Sequence, residues 1–165
     1  MTSLRYLVPL ALALALALAS AAHAAGTVEV KFIEPDKFSD AGRNTWDRER
    51  TLAAFSEQLQ SLGQSLPDGQ ALRLSVTDID LAGELRPSRN GSEIRVLRGR
   101  ADWPRVTLRF ELLEGGRTLK SGEAKVSDMA YQQQSLGAHK NDAYGYEMRM
   151  LERWYKDTQV AAKTR

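Results

Sequence analysis

The chain has no cysteine among its 165 residues, and its only histidines are His23 and His139. The first absence removes thiol nucleophiles, disulfide staples, thiolate metal sites and lipid-modified cysteine anchors together. The second leaves any serine–histidine machinery only His139, in the polar stretch "SLGAHKND", which has no nucleophile-elbow glycine pattern. A zinc site would need carboxylates to replace the missing imidazoles. Glycine-rich phosphate loops are also missing, because "LEGGRTLKSG" lacks Walker spacing and fits a hairpin turn. No cofactor is implied, and a lone histidine in a polar loop is expected to face solvent.

Long apolar runs are confined to the first residues. "MTSLRYLVPLALALALALASAAHAAG" opens with one charged side chain, Arg5, continues with an uncharged run from Tyr6 to Ala19, and ends in small residues. That order is the pattern of a secretory signal peptide. Ala22-His23-Ala24 fits the cleavage site, with cutting before Ala25; cutting after Ala22 is the rival. A spanning helix needs roughly 20 apolar residues, and this run is shorter and contains Pro9. The reading is a signal peptide over 1–24 and one domain over 25–165, without a membrane span in the mature chain and with a periplasmic destination.

An excess of one charge is lacking as well. Arg5 leaves with the leader, so of 23 basic residues 22 remain against 21 acidic ones. Such a balance gives no support to nucleic-acid binding. The mature length suits a single domain with its own core. No long Gly/Ser/Pro linker and no internal repeat divides it.

Periodicity supplies the elements. "TVEVKFIE" (27–34) alternates as a half-buried strand. From Thr45 a helix is predicted, with Leu52, Phe55, Leu59 and Leu62 as one apolar stripe and Asn44 as N-cap, with Asp47 three positions later. Trp46 is expected to tuck under the first turn, and Leu66-Pro67-Asp68-Gly69 to stop the helix. "ALRLSVTDIDLAG" (71–83) begins as a strand with Leu72, Leu74 and Val76 inward. "SEIRVLRG" (92–99) is a short strand. "PRVTLRFELLEGG" alternates strictly through Val106, Leu108, Phe110 and Leu112, turns at Gly115-Gly116, and returns along 117–128 with Leu119 inward. A closing helix carries Tyr144, Met148, Leu151 and Tyr155 as its inner stripe, capped by Asn141 or Asp142. The resulting order, β-α-β-β-β-β-α, predicts an α+β fold: a mostly antiparallel sheet of about five strands with two helices packed on one face.

Two clusters offer chemistry. Asp78 and Asp80 lie two apart, so on a regular strand both would follow Leu72, Leu74 and Val76 inward. A bulge that lets Ile79 and Leu81 turn in resolves the conflict; a wet sheet edge is the alternative. With Glu84 these carboxylates define the enzymatic alternative, a hydrolase or transferase. They do not form a calcium loop, because Ala82 stands where a ligand is required. The second cluster holds seven arginines, at 86, 89, 95, 98, 100, 105 and 109, against Glu93 and Asp102. Guanidinium groups bind carboxylate or phosphate with paired hydrogen bonds. Arg95, Arg98, Arg105 and Arg109, with Trp103, are the candidate ligand-binding residues, and parity turns Arg98 away from Arg95. The alternative is a solvated sheet face whose arginines pair with Glu111 and Glu123 across strands.

"VEVKFIEPDKFSDAG", "DRERTL", "LRLSVTDIDLAGEL", "RVLRGRADWPRVTLRF", "SGEAKVSDMAY" and "YEMRMLERWY", in this order, resemble an exported proteobacterial family, domain of unknown function 3016. The resemblance runs from Val28 to about Tyr155 and implies one small exported domain. It brings no activity, ligand or catalytic residue.

The expectation is therefore a small exported module, binding or structural rather than enzymatic, whose partner is an anionic envelope component or an envelope protein. Intact-mass analysis of protein recovered from the envelope fraction should give a chain starting within a few residues of Ala25. A full-length chain embedded in membrane would overturn the leader assignment.

Overall fold

A computed structural model describes residues 26–89 and 93–163, so the leader expected over 1–24 lies outside the described residues. Strand β1 (Thr27–Phe32) precedes helix α1 (Thr45–Ser61) and strand β2 (Gln70–Asp80). Strands β3 (Glu84–Pro87) and β4 (Glu93–Val96) follow, then β5 (Arg105–Glu114), β6 (Arg117–Ser127) and helix α2 (Gly145–Lys163). Four strands form one mixed sheet in the order β1-β2-β5-β6, with β1 parallel to β2 and the other pairs antiparallel. Strands β3 and β4 pair only with each other. The fold is α+β, as the periodicity predicts, although β4 joins a separate hairpin rather than the main sheet. Its partner β3 was not foreseen, because "ELRP" is too short to show alternation.

Both helices cover one face of the sheet. Phe55 and Leu59 of α1 and Met148, Leu151 and Tyr155 of α2 meet Leu72, Leu74 and Val76 of β2 and Val106, Leu108 and Leu112 of β5 in one buried cluster. Among the described residues no element covers the opposite face of the sheet. A parallel β1–β2 pair requires a crossover, and α1 supplies it. Its start is set as the sequence suggests: the Asn44 side chain accepts from the Asp47 backbone N–H at 3.0 Å and donates to the Asp47 carboxylate at 2.7 Å. Trp46 is not tucked under, being 63% exposed with the Arg50 guanidinium 4.6 Å from its ring centre. Residues 46 and 50 lie one turn apart on the helix flank away from Phe55 and Leu59, so the ring stays at the surface with Arg50 of its own helix over one face.

Two bulges set the strand phases. Val76 pairs with Leu108 and Asp78 with Thr107, leaving Thr77 as the extra residue of β2. Val76, Ile79 and Leu81 are all buried as a result, so the bulge reading of 71–83 holds. The second bulge overturns an expectation. Leu112 pairs with Lys120 and Leu113 with Thr118, so Leu119 is unpaired and 44% exposed rather than inward. Phe110 is half-buried, its ring edge-on to Trp154 at 5.8 Å and opposite Gly122. The β5–β6 turn is Gly115-Gly116, both at positive φ (55° and 80°), which two-residue hairpin turns of the primed type demand.

Helix α2 begins at Gly145 rather than at an Asn141 or Asp142 cap. Residues Gly137–Asn141 form a 3-10 turn, and the Asp142 carboxylate is taken by the His139 ring at 2.8 Å. His139 is 8% exposed, contrary to the solvated loop expected; its other ring nitrogen faces Glu152 at 3.1 Å. A second clasp holds the chain before α2. Asp128 receives Arg149 at 3.0 Å and Arg153 at 3.1 Å, while Arg149 also donates to the carbonyls of Tyr131, Gln134 and Ser135.

Leu108 is fully buried between the helices and the sheet, so Leu108→Ala should cost about 2–5 kcal/mol through lost burial and a residual cavity. Arg109→Ala, on the open face, should cost under about 1 kcal/mol. Chemical denaturation of both variants checks the strand phase, since equal losses would mean that it is misassigned.

Candidate anion-binding surface

Five of the seven arginines of 86–109, namely Arg86, Arg95, Arg98, Arg105 and Arg109, are distributed over three places. Arg95 points inward, as the pairing of Leu85 with Arg95 dictates. Its guanidinium donates to the Ala82 carbonyl at 2.6 Å, lies 5.7 Å from the Tyr144 ring centre and is 4.0 Å from the Glu147 carboxylate. It is a tether between the hairpin and the body, with little surface left for a ligand.

Arg105 and Arg109 lie on the open face of the sheet. Arg105 donates through Nε to Asp80 at 2.8 Å and through a second nitrogen to the same oxygen, and its guanidinium stacks 5.0 Å from the Trp103 ring centre. Arg109 is opposite Glu123 at 3.6 Å and remains 68% exposed. One strand over, Arg73 lies between Glu29 and Glu111. This face is therefore a cross-strand ladder of alternating sign, in which each arginine meets an acid.

Arg98 sits apart, on the outer face of the hairpin. Glu84 and Val96 are register partners, so residues 84, 86, 96 and 98 share that face. Glu84 Oε2 accepts from Arg86 Nε at 3.4 Å, from Arg86 Nη2 at 3.1 Å and from Arg98 Nη2 at 2.6 Å. Two guanidiniums thus converge on one carboxylate oxygen, and among the described residues no second acid is bonded to either. Gly83 makes the approach possible: its φ is 80°, and a Cβ there would come within 2.7 Å of the Val96 carbonyl oxygen. Beside this pair an open cleft of about 670 Å³ is lined by Asp40, Arg43, Glu84, Leu85, Arg86 and Pro87.

The carboxylates of the enzymatic alternative serve three separate partners. Asp78 accepts from the Ser39 backbone at 2.7 Å and from the Ser39 hydroxyl at 2.9 Å, closing the lead-in to α1. Asp80 holds Arg105, and Glu84 holds the hairpin arginines. Among the described residues no three metal-ligating side chains converge.

Sequence reasoning missed the buried acid beneath the hairpin. Glu147 is 2% exposed and accepts the Ala82 backbone N–H at 2.9 Å. Burial pushes its carboxyl above the usual carboxylate range, against the opposing effects of the Ala82 hydrogen bond and Arg95. Asp40, in the cleft wall, is raised for the same first reason, opposed by the Gly42 backbone N–H that it accepts. The signal for Glu147 was present: it lies three residues after Tyr144 and four before Leu151, within the inner stripe.

The sequence from residue 26 to residue 157 matches the family model described as protein of unknown function DUF3016. The chain belongs to this family. No curated protein matches it significantly. The matched span covers the whole of the main sheet, the Arg95–Glu147 tether, the Arg86–Glu84–Arg98 group and most of α2, so each candidate site lies inside the family domain.

A carboxyl raised in the folded state adds stability that is full below its unfolded pKa and lost as pH rises through the folded one. Glu147→Gln keeps an acceptor for the Ala82 N–H and removes that loss. Urea titrations should therefore show the variant gaining on wild type as pH rises from 4 toward 8. Glu147→Leu, which leaves the N–H unpaired, should instead lose about 1–3 kcal/mol. A Gln variant that tracks wild type at every pH would show that Glu147 does not titrate differently on folding.

Proposed function

We propose that this domain is an exported, non-enzymatic binding module of the bacterial envelope that holds an anionic partner on its arginine-rich surface. The supporting observation is the unequal count at the hairpin, where Arg86 and Arg98 share the single carboxylate of Glu84. Arg105 and Arg109 have one acid each and form a weaker second face, organised by Trp103. All four guanidiniums are about half exposed or more, so an incoming anion reaches them without unfolding the domain. Their carboxylate partners fix the forks in advance, which lowers the ordering cost of binding. A cleft bordering the hairpin gives the rest of a ligand somewhere to lie.

Attraction between exposed charges is screened by salt, so binding should weaken steeply as ionic strength rises. Co-sedimentation of the mature protein with anionic lipid vesicles and with purified cell-wall sacculi, at low and high salt, measures this. Arg86→Glu with Arg98→Glu should abolish the binding, Arg105→Glu with Arg109→Glu should weaken it, and both double variants should still unfold cooperatively. Binding that survives all four reversals, or a wild type that binds neither material in a salt-sensitive way, would remove the proposal.

A further inference from the structure

We infer that Arg86 and Arg98 form a receptor for a phosphate group, with Glu84 as the resident counter-ion that the phosphate displaces. This deepens the anion-binding reading of the same surface and rests on it.

The geometry at Glu84 is that of a site filled by the wrong number of oxygens. Three N–H groups from two guanidiniums fall on one atom, Oε2, with Arg86 side-on through Nε and Nη2 and Arg98 end-on through Nη2. A guanidinium fork is matched by two oxygens, and two forks by a group presenting three or more. Phosphate presents them, and a single carboxylate does not.

Charge points the same way. Glu84 neutralises one of the two arginines. A phosphate monoester carries about −1.5 to −2 near neutral pH, close to the charge of the pair. An external carboxylate would only repeat what Glu84 already supplies, and it would compete with a partner tethered two residues from Arg86 and therefore at high effective concentration. Glu84 thus acts as a filter that excludes monocarboxylates and yields to a dianion. Displacing it is easy, since its side chain is 56% exposed and exposed ion pairs are weak.

The surroundings suit a phosphate carried on something larger. Leu85 and Pro87 give the adjoining cleft an apolar lining next to Arg86. The hairpin is anchored to the body of the domain, because Arg95 on its other face is tied to the Ala82 carbonyl and lies 4.0 Å from Glu147. The receptor is therefore presented on a fixed platform.

Isothermal titration of the mature protein with phenyl phosphate, inorganic phosphate and acetate tests this, alongside co-sedimentation with phosphatidylcholine vesicles with and without phosphatidic acid. Wild type should bind phenyl phosphate, or the phosphatidic acid vesicles alone, and ignore acetate. Glu84→Gln should bind phenyl phosphate about two- to fivefold more tightly, the size expected for removing a competing surface ion pair, and should begin to bind acetate. Arg98→Glu should lose both. Binding of the soluble phosphates assigns a free ligand, and binding confined to phosphatidic acid vesicles assigns a lipid headgroup; either upholds the receptor. Salt-sensitive binding of sacculi or anionic vesicles with no gain in Glu84→Gln and no loss in Arg98→Glu would overturn this inference and leave the proposed function standing. No salt-sensitive binding of any anion by wild type would overturn both. Circular dichroism melts of each variant separate loss of binding from loss of fold.

Discussion

One extra residue in β2 governs where every later side chain points. Without the bulge at Thr77, strict alternation after Val76 would drive Asp78 and Asp80 into the core and expel Ile79 and Leu81. Two carboxylates buried without partners would cost more than the strand pairing returns. With the bulge, Ile79 and Leu81 complete the core, and Asp78 and Asp80 emerge to hold Ser39 and Arg105. The same phase places Asp40 alongside Asp80 through an isolated bridge, extending the edge of the sheet beyond β1. Ala82 then arrives with its N–H toward Glu147 and its carbonyl toward Arg95. The hairpin that follows inherits its position from this register.

Charge is handled differently inside and outside. On the open face, ions alternate across the strands and remain wet, so each pair contributes little alone. Inside, two acids, Asp128 and Glu147, carry structural weight through backbone contacts as well as ion pairs. Asp128 binds two guanidiniums, and the Arg149 fork satisfies three backbone carbonyls of a stretch that has no sheet to bond to. Glu147 secures the turn before β3. His139 lies between Asp142 and Glu152 and locks the 3-10 turn to α2. The near-neutral composition follows, because most arginines have an acid assigned to them within the domain.

The architecture was largely legible because its signals are local. Alternation marked β1, β2 and β5, the Gly115-Gly116 turn marked β6 as the returning strand, the Asn44–Asp47 spacing marked the start of α1, and the conflict between Val76 and Asp78 announced the bulge. What escaped depends on contacts distant in sequence. Leu119 has an inward residue's chemistry, and only the register against Leu112 and Leu113 shows that it is the unpaired one. His139 reads as a loop residue until Glu152, a helix away, closes over it. Glu147 is one charge in an apolar stripe, and its partner Ala82 lies 65 positions earlier. For the candidate site, parity correctly separated Arg95 from Arg98. It had no means of showing that Glu84, grouped by sequence with the aspartates, belongs with the arginines.

The bulge at Leu119 also shapes how the molecule meets its neighbours. Among the described residues strand β6 has no strand partner on its outer side, which leaves a row of backbone donors and acceptors unpaired. A long, flat edge of that kind templates the addition of strands from other chains. Here the edge is twisted out of register near its start, Lys120 is drawn over to the Thr158 carbonyl of α2, and Lys125 stands exposed farther along. An incoming strand would meet a kink and a charged side chain instead of a straight track, which makes this eleven-residue edge a poor template for strand addition.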